Sequence, residues 1–143
     1  MKIIFALLSI FLVSCNKAAT PVSTKGDTVY LVGISFNSIC CGPPSEDFLK
    51  TFVKKFNKAN TVKITADKIA GCGREGEFVV LFELGNLKTA TREKFIAEVE
   101  QLIPVQNAAN KNASTSSGGL DVLHNVKGSD YNHCRIKSQN WEY

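Results

Sequence analysis

The feature that most constrains the fold is a change of hydrophobic period along the chain, from strand-like to helical and back. Thr28 to Phe36 is β-branched and aromatic, and apolar on both alternating faces at its start. Such a run predicts a central strand buried on both sides. After a loop from Asn37 to Pro44, the residues Phe48, Leu49, Phe52, Val53 and Phe56 recur at helical spacing. Ser45 stands at the N-cap position, with Glu46 and Asp47 in the first turn. Lys50, Lys54, Lys55 and Lys58 fall on the other side or at the end. Three phenylalanines on one stripe could line a ligand groove; packing against a sheet is the expected use. Thr61 to Ile69 then alternates, with Val62, Ile64 and Ala66 inward and Lys63, Thr65 and Asp67 outward. That pattern predicts a half-exposed edge strand. A turn from Ala70 to Gly76 with three glycines leads into a second apolar strand, Glu77 to Leu84, closing a hairpin.

A second helical stripe, Phe95, Ile96, Val99, Leu102 and Ile103, starts after a cap at Thr89 or Thr91, and Pro104 is expected to end it. Glu93, Glu98 and Glu100 should face water, so no carboxylate pair of the glycosidase kind is in view. Residues 105–119 are low in complexity and predict a mobile loop, which contains the glycosylation acceptor pattern Asn112-Ala113-Ser114. A weak strand over Leu120 to Val126, a turn at Gly128 to Asp130 and a strand over Tyr131 to Lys137 follow. Trp141 and Tyr143 are placed to pack over the sheet edge. The class is α+β, and the order is similar to the ferredoxin-like βαββαβ sandwich with an extra C-terminal strand or hairpin. The resemblance implies that the loop of Cys40 and Cys41, the hairpin of Cys72 and the start of the last strand with Cys134 share one end of the sheet.

The N-terminus gives an address. Lys2 precedes an 11-residue apolar run, Ile3 to Val13, and Ser14-Cys15 is followed by polar sequence. Charge, short apolar run and small residue are the layout of a secretory signal. The run is too short to span a bilayer, which takes about 20 residues. Leu12-Val13-Ser14-Cys15 resembles the lipobox of bacterial lipoproteins. The resemblance implies a signal peptide over 1–14 and a lipidated Cys15 that fixes the chain to a cell-envelope membrane. It also implies a tether over 15–26 and a single domain over 27–143.

If Cys15 carries lipid, four of the five cysteines remain, which suggests two disulfides in an exported chain. Bridging the neighbours Cys40 and Cys41 is disfavoured, because their Cα atoms stand about 3.8 Å apart. The expected pairing therefore joins Cys72 to Cys40 or Cys41, and Cys134 to the one left over. A rival reading uses Cys40, Cys41 and Cys72 as soft-metal ligands. The Cys40-Cys41 loop resembles the place where soft-metal-binding ferredoxin-like domains carry two cysteines with two residues between them, a spacing absent here. His124 and His133 do not complete a zinc pattern. Arg74 and the amides of the Gly71 to Gly76 turn could bind an anion, although the turn is no phosphate loop.

The 17 basic and 13 acidic side chains are interspersed, which excludes a nucleic-acid stripe. These readings point to an envelope lipoprotein acting as a disulfide-stabilised binding or accessory module without catalysis or cofactor. Its partners would be the membrane, through lipid, and another envelope protein. The alternative is a thiol-dependent soft-metal or redox lipoprotein using Cys40, Cys41, Cys72 and Cys134. Replacing Cys15 with alanine should move the protein from the membrane fraction to the soluble one. Acylation at any other residue, read by mass spectrometry, would sink the lipobox assignment.

Overall fold

A computed structural model describes residues 28–112 and 118–143. Strand β1 (Val29–Phe36) leads to helix α1 (Asp47–Asn60), then β2 (Thr65–Ala70), β3 (Phe78–Glu83) and helix α2 (Thr89–Asn112). Strand β4 (Leu120–Lys127), a 3-10 turn (Gly128–Tyr131) and β5 (Ile136–Asn140) complete it. The five strands form one sheet in the order β4-β1-β3-β2-β5, and every neighbouring pair is antiparallel. The fold is therefore α+β, with β1 at the interior as its two-sided apolarity requires. Gly33 permits the close approach of β3, since a Cβ there would lie 2.6 Å from Leu81 Cδ2 and 2.9 Å from the Val80 carbonyl.

The helices cover one face. Leu49, Val53 and Phe56 of α1 and Phe95, Val99 and Ile103 of α2 pack on Val32, Ile34, Phe36, Val80 and Phe82. Phe95 is the meeting point, with its ring 5.0 Å from both Phe56 and Phe82. Phe52 is half-buried, at 5.5 Å from the Phe95 ring, so the stripe serves packing. The cap falls one position after the expected Ser45: Glu46 is the N-cap, and the Ser45 hydroxyl accepts from the Asp47 amide.

Three expectations are corrected. Pro104 does not end α2, which runs on to Asn112 and takes in half of the expected loop. Glu100, whose carbonyl loses its donor, is exposed like Pro104, so water can serve it. Beyond the proline, Asn107 clamps the helix to β4: its amide nitrogen donates to the Leu120 carbonyl (2.8 Å), and its oxygen accepts from the Leu120 amide (2.9 Å). β2 is shorter than expected and is no edge. Thr61 turns left-handed at φ 52°, the Val62 amide bonds the Asn57 carbonyl and the Ile64 amide bonds the Asn57 side chain, so pairing starts only at Thr65. β5 then covers the outer side of β2. The expected strand over Tyr131 to Lys137 is mostly turn, because Asp130 accepts from the Lys127 amide and folds the chain back before β5.

A second apolar cluster fills the opposite face: Tyr30, Ile69, Val79, Leu81 and Cys134, with Cys72, Leu123, Val126 and Tyr131 against it. Tyr30 and Val126 belong here, whereas Val32 and Val122 face the helices. The alternation of both strands thus reverses between these pairs, where Asn125 takes a left-handed φ of 51°. The reversal brings the Tyr30 hydroxyl to Asp67, to which it donates at 2.5 Å. Asp67, read from the sequence as outward, is 1% exposed.

Trp141 is buried and ties the chain end to the core. Its amide donates to the Ala66 carbonyl (2.8 Å) and its indole to Glu46 (3.1 Å). Glu46 also meets Lys50 (2.9 Å) and Lys68 (2.8 Å). Burial would raise its pKa, but the hydrogen bonds from Lys68, Lys50 and Trp141 outweigh that and hold it below the usual carboxylate range.

Burial first, then the hydrogen bond to Asp67 and its charge, hold Tyr30 ionisation above the ordinary phenol range. The unfolded chain releases this proton near pH 10 and the folded chain later. Stability from this group is therefore full below about pH 10 and declines above it. Denaturant titrations from pH 8 to 11 should show the decline, and Tyr30→Phe, less stable at neutral pH, should show a flatter one.

Candidate functional site: the cysteine-bearing end of the sheet

β1 and β2 end at the same edge where β3 begins, as the register Phe36↔Phe78 and Ala70↔Phe78 requires. Three connections emerge there. The first is the loop after β1. Asn37 anchors its base: the amide donates to the Gly119 carbonyl (2.9 Å), and the side chain donates to Asp121 (2.6 Å) and accepts from Ser35 (2.9 Å). Gly118 must lack a side chain, because a Cβ there would run into the Asn37 carbonyl. Pro44 is buried and fixes the other base of the loop. Between these anchors Ile39, Cys40 and Cys41 stand in solvent, with Ile39 79% exposed.

The second connection is the β2–β3 turn. Gly71 and Gly76 take left-handed φ values of 69° and 88°. The Cys72 amide donates to the Glu77 carbonyl (2.9 Å), and the Glu75 amide donates to the Glu77 carboxylate (2.9 Å). The turn thus holds an anion of its own, Glu77, which occupies an amide that an external anion would use. Arg74 is exposed at its tip.

The third is the turn before β5. The Cys134 amide donates to the Tyr131 carbonyl (3.0 Å), so Tyr131 and Cys134, three residues apart, both face the sheet. Arg135 crosses to the glycine turn: its amide donates to the Gly71 carbonyl and its guanidinium to the Gly73 carbonyl, each at 3.2 Å.

The cysteines therefore gather at one end, but they pair differently from the sequence expectation. Cys72 bonds Cys134, and Cys40 and Cys41 are exposed outside any disulfide. The reason is placement. Arg135 and Gly71 zip the third connection onto the second, while the first stands out in solvent. The metal set of Cys40, Cys41 and Cys72 fails with it, because the bridge consumes the Cys72 sulfur. Among the described residues no three His, Cys, Asp or Glu side chains gather as a metal cluster. His124 meets Glu100 at 3.5 Å on the far side of β4, away from His133. Cys15 lies outside the described residues.

Cys41 turns left-handed at φ 69°, followed by Gly42 at φ 96°. The two side chains share a hydrogen bond, which is the first cause holding the Cys41 proton above the ordinary thiol range; the Cys40 charge, burial and the Glu75 charge follow. The missed signal was Gly42 after the pair, since a cysteine followed by glycine and two prolines marks a tight turn. A Cβ added at Gly42 would stand 3.9 Å from the Glu75 carbonyl, which places the thiol loop near the glycine turn. His133 Nε2 stands 3.7 Å from Cys134 Sγ.

No family model, characterised protein or solved structure matches this chain.

The bridge closes a separation of 62 residues, for which chain entropy gives about 4 kcal/mol. Cys134→Ser should lower unfolding free energy by roughly that amount. Urea melts would check it, and a loss under 1 kcal/mol would show that the cover of the second face holds without the bridge.

Proposed function

We propose that the chain is a bacterial cell-envelope lipoprotein, anchored through Cys15, whose domain is a binding module working through Cys40 and Cys41. The observation carrying this reading is the exposed, mutually hydrogen-bonded thiol pair on a loop braced at both bases. A cysteine kept for stability belongs in a bridge or a core, as Cys72 and Cys134 are. Two thiols side by side in solvent suit a soft cation of the Cu(I) class, held between two sulfurs after their protons leave. The neighbouring disulfide steadies the adjacent glycine turn. The described residues contain no helix long and apolar enough to cross a membrane, so attachment would rest on the lipid. We read the domain as a ferredoxin-like sandwich with β5 added at one edge. The order β4-β1-β3-β2 supports this, with β3 antiparallel to both β1 and β2.

Anaerobic titration of the chain with Cu(I) should show one ion bound per molecule, with binding weakening as pH falls because protons compete for both sulfurs. Cys40→Ser and Cys41→Ser should each abolish it. Unchanged uptake in the double variant, or uptake only after Cys72–Cys134 is reduced, would overturn the reading.

A further inference from the structure

We infer that Cys72–Cys134 is an exchangeable disulfide, and that the Cys40-Cys41 loop is its intramolecular exchange partner. Cys134 is 2% exposed, whereas Cys72 is only partly buried. A nucleophile from solvent therefore reaches Cys72 first, with Cys134 behind it as the leaving sulfur. Attack on a disulfide proceeds along the S–S direction and is favoured by a stabilised leaving thiolate. His133 Nε2, at 3.7 Å, is placed to stabilise that thiolate. Arg135, bonded to the carbonyls of Gly71 and Gly73 on either side of Cys72, adds a fixed positive charge to the same turn. A bridge kept only as a staple has no need of either group.

The nucleophile is next door. Gly42, next to Cys41, lies near the glycine turn: a Cβ there would stand 3.9 Å from the carbonyl of Glu75, three residues from Cys72, and both thiols are in solvent. Either thiol of the pair can supply the attacking sulfur. The step balances without an outside oxidant. The attacking thiol gives its proton to water, and its sulfur forms a bond to Cys72 Sγ. The Cys72–Cys134 bond breaks, its electron pair goes to Cys134 Sγ, and that sulfur takes up a proton from water beside His133 Nε2. One disulfide and two thiols remain. The inference uses the thiol pair of the proposed function but does not need a bound cation.

The test uses the full chain in detergent, incubated at pH 8 without reductant, acid-quenched over time, alkylated and mapped without reduction. The expected product is a peptide bridging Cys40 or Cys41 to Cys72, with alkylated Cys134, formed at a rate independent of protein concentration. The double variant Cys40→Ser/Cys41→Ser should abolish it. His133→Gln should slow it by about tenfold through loss of leaving-group stabilisation. Cys134 that stays unlabelled at all times, or a bridge forming only between molecules, would overturn the inference. Cu(I) titration of the same sample separates the two ideas: binding without exchange removes only this one, and exchange without binding removes only the proposed function.

Discussion

The sheet has two apolar faces and the chain has helices for one of them, so the rest of the structure depends on how the second face is covered. Ile69, Val79 and Leu81 would otherwise lie open to water. The cover is a short turn, Gly128 to Arg135, which brings Tyr131 and Cys134 onto them. A turn this small buries little area and forms few backbone bonds, so it is a weak cover by itself. The bond from Cys134 to Cys72 compensates. It fixes the cover to the end of β2, and the Arg135 hydrogen bonds to Gly71 and Gly73 keep it aligned.

The same demand explains the reversal in β1 and β4. Tyr30 is large enough to extend the second cluster, but its hydroxyl then enters the interior and needs a partner. Asp67 supplies one from β2, and a carboxylate in that position needs the donor as much as the phenol needs the acceptor. A polar pair buried between strands resists slippage, because a one-residue shift would break the Tyr30–Asp67 hydrogen bond. The register of the three central strands is therefore held by chemistry on this face as well as by packing on the other.

Legibility in the sequence follows the same division. The helix-covered face was readable, since Leu49, Val53, Phe56, Phe95, Val99 and Ile103 sit in strong periodic stripes that local sequence displays. The second face was not. Asp67 follows the polar parity of its neighbours, and only a tyrosine 37 residues away makes it interior. The alternation of Tyr131, His133 and Arg135 imitates a strand, while the cause of the turn is Asp130 bonding back to Lys127. Pro104 misled because a proline's cost depends on whether the orphaned carbonyl meets water, which spacing does not reveal. The gathering of cysteines at one end was legible from topology. Their pairing was not, because it depends on which of three loops are bonded together and which one stands in solvent.

Bridge and cover are thermodynamically linked. A bond that favours the packed turn must itself be favoured by that packing, to the same extent. Whatever loosens the cover, such as loss of Tyr131 from the sheet, makes Cys72–Cys134 easier to break. Breaking the bond in turn loosens the cover. The helix-covered face stands outside this loop, because its contacts do not pass through the disulfide. The fold can thus carry a labile sulfur bond at one end without placing its main core at risk. The thiol loop is braced by Asn37, Gly118 and Pro44, none of which belongs to the cover. Opening the bridge would therefore leave Cys40 and Cys41 in place, and the reactive end of the sheet can change its sulfur partners while the scaffold that presents them stays the same.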